Sequence, residues 1–97
     1  ISQAGLTAKG DRSVYNASKW AITGFTKSLA AEFIGSNITI TGFYPGSMKT
    51  NLFSKAGAKK DMSRFMKLLD VARAIEFIIE TPEDLTVPEL GIKPALY

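Results

Sequence analysis

The sequence predicts an α/β domain with parallel strands. Three observations carry that prediction: a long stretch with apolar residues at steps of three and four, a β-branched run directly after it, and a second helical period that leads into a short strand-like ending. Strands alternating with helices at this spacing favour a parallel sheet joined by crossovers. At 97 residues there is room for one domain, since domains run to roughly 50–250 residues.

The elements follow in order. Ile1 reads as the end of an apolar strand that runs into a polar loop, and a chain opening there without a methionine is expected to belong to something longer. Val14, Ala17, Ala21, Ile22, Phe25, Leu29 and Phe33 share one helical face and predict a helix over 13–34. Ser13 or Asp11 is the expected cap, and Gly35-Ser36-Asn37 the stop. The run 38–43, Ile-Thr-Ile-Thr-Gly-Phe, reads as a strand. Tyr44-Pro45-Gly46 then breaks it. The stretch 51–69 mixes small, basic and apolar residues without a continuous face, and predicts one or two short helices and a mobile loop, the expected substrate lid. Asp70 is the expected N-cap of a second helix whose face is Val71, Ala74, Ile75, Ile78 and Ile79, ended by Pro82. Val87, Leu90 and Ile92 predict a final strand within 85–92. That makes three strands.

Composition removes whole classes of function. At 45% hydrophobic and 22% charged, the chain is too apolar for a disordered tail. It has neither cysteine nor histidine, which excludes disulfide frameworks, thiol nucleophiles and imidazole catalysis, and no metal site is expected. Twelve Lys and Arg against nine Asp and Glu leave +3, spread along the chain, so a nucleic acid is not the expected partner. No apolar run approaches the ~20 residues of a membrane span, and no basic-then-apolar leader opens the chain. The expected setting is the cytoplasm, with no membrane partner.

Tyr15 and Lys19 stand four apart, so both project from one side of the long helix. A phenol with a pKa near ~10 is a poor proton carrier at neutral pH, and a neighbouring ammonium favours the phenolate. Such a pair suits general acid/base work. Taken alone, it reads more readily as a surface pair covering a stem. Ser2, however, lies thirteen residues earlier at the expected strand end, and Pro45-Gly46-Ser47-Met48-Lys49-Thr50 follows the next strand.

With Ile1-Ser2-Gln3-Ala4-Gly5, Tyr15-Asn16-Ala17-Ser18-Lys19 and Pro45-Gly46 with Thr50, the chain resembles the short-chain dehydrogenase/reductase family. Ala21, Gly24, Phe25, Ser28, Leu29, Ala30 and Glu32 extend the likeness. The resemblance implies the C-terminal portion of a Rossmann-type doubly wound parallel sheet, about three strands with flanking helices, with residues 1–97 forming one partial domain. It implies NAD- or NADP-dependent hydride transfer between a small-molecule alcohol and a carbonyl. Carried over residue by residue, Ser2 would bond the substrate oxygen, Tyr15 would move the proton, and Lys19 would hold the nicotinamide ribose while assisting the tyrosine. Tyr15, Lys19, Pro45, Gly46 and Thr50 would contact the cofactor. Asn16 and Ser18 are expected to make local hydrogen bonds only. In the loop after Thr50, Phe53, Met62, Phe65 and Met66 suggest an apolar wall to the substrate pocket, although such residues more often just pack the loop.

There are departures from the family pattern. The Gly-rich turn that binds the dinucleotide in a Rossmann fold does not occur in the chain, nor does a counterpart of the asparagine that the family contributes from an earlier helix. The chain is therefore expected to be inactive alone, and to associate with another copy through the long helix. The alternative is a non-catalytic interaction or assembly module on the same scaffold.

Overall fold

The computed structural model describes residues 1–50, 57 and 61–96. Its elements are a 3-10 turn at Gln3–Gly5, helix α1 (Ser13–Glu32), strand β1 (Gly42–Pro45), helix α2 (Leu68–Ile79) and strand β2 (Glu89–Ile92). The two strands pair in parallel, Gly42 opposite Glu89 through Pro45 opposite Ile92, with α2 in the crossover. Such a pair cannot be closed by a tight hairpin, so the long connection is a geometric need.

Two expectations about the sheet are corrected. Among the described residues it has two strands, not three, because Ile1 and Ser2 have no pairing partner and the chain turns at once into the 3-10 turn. The run 38–43 pairs only from Gly42 onward, since β2 reaches no further back. Thr41 Oγ1 donates to Val87 O at 2.7 Å and Gly42 N to Pro88 O at 3.0 Å, closing that end of the ladder. Pro45 is tolerated at the last position, where the next bond is donated by Gly46 N to Ile92 O at 2.8 Å.

Helix α1 starts without a side-chain cap. Arg12 is the capping residue, and Asp11 stands just before it at φ 62, a left-handed conformation that Asp accepts more readily than most residues. The expected capping by Ser13 or Asp11 is not what forms. At the other end Phe33 is the last half-helical residue, Gly35 turns left-handed at φ 87, and Ser36 Oγ donates to Phe33 O at 2.7 Å. The expected stop signal acts as predicted.

The larger surprise is which face α1 buries. Asn16 and Thr23 are its buried residues, whereas Val14, Tyr15, Trp20, Ile22 and Phe25 are exposed. The apolar stripe read from periodicity thus faces largely outward. Helix α2 follows its periodicity more closely: Val71 is buried and Ala74 and Ile78 half-buried, while Ile75 and Ile79 are exposed. It begins earlier than expected, with Lys67 as an extended cap, so that Asp70 sits in the first turn, where the helix dipole favours a carboxylate.

The core is small, made of Tyr44, Phe65, Met66 and Val71. Met48 bridges Met66 in parallel register, with Lys49 N to Met66 O and Met66 N to Ser47 O both at 2.9 Å. Part of the predicted mobile loop is therefore fastened core. Residues 51–56 and 58–60, including Phe53, lie outside the described residues. An exposed ion pair between Lys27 and Glu89 ties α1 to the start of β2, and its hydrogen bond raises the Lys27 pKa.

Candidate active site

Three side chains of α1 hold the segment that precedes it through its backbone carbonyls. Thr23 Oγ1 donates to Gly5 O at 3.0 Å, Trp20 Nε1 to Thr7 O at 3.0 Å, and Asn16 Nδ2 to Lys9 O at 3.1 Å. The buried Gly5 carbonyl in particular needs such a donor. Gly5 meets a steric demand as well: a Cβ there would lie 2.5 Å from Thr23 Oγ1 and 2.8 Å from Ile1 Cγ2. Gln3 fastens the same turn to the sheet, with Nε2 donating to Tyr44 O at 2.7 Å.

This arrangement places Ser2, Tyr15, Lys19, Pro45, Gly46 and Thr50 on the wall of one cleft of about 350 Å³. Every residue expected from the sequence to act in catalysis or contact the cofactor lines it. The Lys19 ammonium stands 5.4 Å from the centroid of the Tyr15 ring, within cation–π range. Tyr15 is 45% exposed, open enough for its hydroxyl to meet a ligand. Ser2 Oγ accepts from Ala4 N at 3.1 Å and so starts the 3-10 turn. A hydroxyl that accepts one bond still has its own proton to donate, and the turn holds that donor beside the cleft.

Pro45 and Gly46 form the floor as the chain leaves β1. Gly46 is required by its neighbour, since a Cβ would come 2.9 Å from Lys93 Cβ. The backbone's closeness at this point is thus set by the segment leaving β2. Thr50 N donates to Met48 O at 3.0 Å. Ser18 Oγ donates to Tyr15 O at 2.7 Å, and Asn16 bonds Lys9, both local bonds as expected. Of the predicted apolar wall, Met62, Phe65 and Met66 do not line the cleft, and Phe65 and Met66 belong to the core instead. Their hydrophobicity fills the space beside the sheet, which periodicity cannot separate from a pocket lining. A larger groove of about 720 Å³ under the C-terminal half of α1 holds none of the six site residues.

Sequence reasoning missed Gln3 and Thr23, the residues that hold the Ser2 turn. Their signal is a pairing of a buried glycine with a helical threonine eighteen residues on, which no local pattern displays.

An α/β chain that brings a serine, a tyrosine with its i+4 lysine and a Pro-Gly turn to one cleft keeps together the residues by which it resembles the short-chain dehydrogenase/reductase family. The comparisons agree with that resemblance. The family model for short chain dehydrogenases matches residues 1–61, and the chain belongs to that family. An uncharacterised short-chain type dehydrogenase/reductase of Sinorhizobium fredii is 33% identical over 100 residues, covering 96% of this chain and 40% of its own length. The 3-oxoacyl-[acyl-carrier-protein] reductase of Bos taurus is 35% identical over 86 residues, covering 84% of this chain and 36% of the relative. Among solved structures, the closed form of a serine dehydrogenase complexed with NADP+ superposes with a TM-score of 0.84 at 22% identity, over 99% of this chain and 42% of that one. A short-chain dehydrogenase/reductase from Vibrio parahaemolyticus superposes with a TM-score of 0.71 at 28% identity, over 95% and 39%. The chain spans about two-fifths of the length of these relatives. The sheet is therefore of Rossmann type, and the family chemistry is that of an oxidoreductase.

Proposed function

We propose that these 97 residues carry the catalytic half of an NAD- or NADP-dependent short-chain dehydrogenase/reductase, which interconverts a small alcohol and its carbonyl compound and needs a dinucleotide-binding half to do so. The observation that carries this reading is the single cleft shared by Ser2, Tyr15 and Lys19, with Pro45 and Gly46 as its floor. Its volume of about 350 Å³ lies within the range of small-molecule sites. The residues present fit that end of the cofactor: Lys19 and Tyr15 would hold the ribose, Thr50 and the Pro45-Gly46 backbone the nicotinamide. When bound, the cofactor supplies or accepts the hydride.

The chain's own part is to manage charge and the proton. As a carbonyl carbon is reduced, negative charge develops on its oxygen, and the Ser2 hydroxyl and the Tyr15 phenol stabilise it by donating hydrogen bonds. Tyr15 then passes its proton to that oxygen, or receives it in the reverse direction. Lys19, beside the ring, offsets the charge left on the phenolate. Ser2 keeps its aim because Ala4, Gln3 and Thr23 hold the turn on which it stands.

The test is reduction of carbonyl compounds by the chain, first alone and then with the N-terminal half of a relative supplied. In the reconstituted enzyme Tyr15→Phe is expected to lower kcat by about 10²-fold or more, with an unchanged circular-dichroism melting curve. Unchanged turnover would remove the proposed role, and absence of turnover in every combination would favour the assembly-module alternative.

The proposal includes association with a second copy through the long helix. Val14 and Phe25 stand 83% and 66% exposed on one side of α1, and contiguous apolar surface of this kind favours association over solvation. Sedimentation is expected to give a mass above the monomer that falls with Phe25→Glu. The cytoplasmic setting remains part of the same proposal.

A further inference from the structure

The cleft is cationic. Lys9, Arg12, Lys19 and Lys93 all line it, and no carboxylate does among the described residues. The ion pair found among those residues is Lys27 with Glu89, which lies elsewhere, so among the described residues none of the four cations pairs with a carboxylate. Low-dielectric walls around charges of one sign concentrate ligands of the other sign.

The four are not equivalent. Arg12 precedes Tyr15 by three residues and Lys19 follows it by four, so the two cations lie on opposite sides of the phenol along α1. If the Lys19 side takes the cofactor ribose, the Arg12 side faces the substrate. Arg12 is also held in place: its carbonyl accepts from Asn16 N at 2.8 Å, and Asn16 Nδ2 grips Lys9 O at 3.1 Å, so the segment carrying both cations is pinned to the first turn of the helix. Its guanidinium spends no hydrogen bond on the described residues. Asp11, its neighbour in sequence, does not line the cleft.

We propose that Arg12, supported by Lys9, is the specificity-determining anchor for an anionic substrate, a small carbonyl or alcohol compound bearing a carboxylate or phosphate. The reacting oxygen lies at Ser2 and Tyr15 while the anion lies at Arg12. The guanidinium fork suits both oxyanions, since it donates two parallel hydrogen bonds to either. This inference deepens the hydride-transfer reading of the same cleft and rests on it.

The experiment is an amide-shift titration of the ¹⁵N-labelled full chain, read at Ser2, Tyr15 and Lys19, with acetoacetate, dihydroxyacetone phosphate and neutral methyl acetoacetate. At least one anion is expected to saturate at a concentration about 10-fold or more below the ester, the range of a charge-assisted hydrogen bond. Arg12→Gln is expected to abolish that advantage and Arg12→Lys to keep part of it; which anion wins separates carboxylate from phosphate. Equal midpoints for acid and ester, an unaltered midpoint in Arg12→Gln, or no saturation by either anion at millimolar concentration overturns the inference. So does an equal loss of nicotinamide mononucleotide binding in Arg12→Gln, which assigns the arginine to the cofactor. Turnover with a supplied N-terminal half is a separate readout. Arg12-dependent binding without any turnover counts against hydride transfer alone, whereas turnover indifferent to both the anion and Arg12 counts against the anion site alone.

Discussion

Helices α1 and α2 solve the same packing problem with opposite chemistry. Helix α2 buries Val71 and half-buries Ala74 and Ile78, apolar positions of its predicted face, while Ile75 and Ile79 of that face stay exposed. Helix α1 turns inward the stripe containing Asn16, Lys19 and Thr23, and spends those side chains on the backbone of residues 5–9 and on the cleft. The difference teaches where precision comes from. Hydrophobic burial is non-directional and tolerates sliding, whereas a hydrogen bond weakens steeply when its angle fails. The helix that must aim Ser2 beside Tyr15 uses the directional contact.

Three substitutions break or sharpen that contrast. The largest effect is expected for Gly5→Ala, because the added methyl would lie 2.5 Å from Thr23 Oγ1 and 3.1 Å from Lys19 O. A loss of about 2–3 kcal/mol is expected, read from the urea midpoint, with the amide signals of residues 2–7 displaced. Next is Val71→Ala, which removes two methyl carbons from a side chain only 6% exposed. It should cost about 2 kcal/mol and leave the signals of Ser2 and Tyr15 in place. The smallest is Thr23→Val, similar in shape but lacking the donor to Gly5 O. The cost should be about 1–2 kcal/mol, yet this variant should disturb the Ser2 turn more than Val71→Ala does. If Val71→Ala moved the Ser2 signals further than Thr23→Val, the division of labour between the two helices would be wrong.

The two regions also differ in how far the sequence exposed them. Helix α2 and the stop at Gly35 were legible because each rests on local chemistry: a repeating apolar face and a left-handed glycine. The inward face of α1 was not. Its partners are carbonyls, which every residue carries, so nothing in the composition of residues 5–9 announces that Thr23, Trp20 and Asn16 will bind them. The apolar residues that periodicity assigned to the core, Val14 and Phe25 among them, remain a coherent face, exposed on this chain.

The sequence by itself determined the order of the two helices and the strands that pair, the pairing of Tyr15 with Lys19 on one side of a helix, and the identity of six of the residues that line the cleft. These depend on spacing along the chain, and spacing is what a sequence states. Tertiary structure alone decided that Ile1 and Ser2 enter a 3-10 turn, that pairing starts at Gly42, that Phe65 and Met66 fill the core, and that Arg12 joins the cleft wall. Each of those depends on what stands opposite in space: a strand needs a neighbour to pair with, and an apolar side chain packs against whichever surface the fold brings to it.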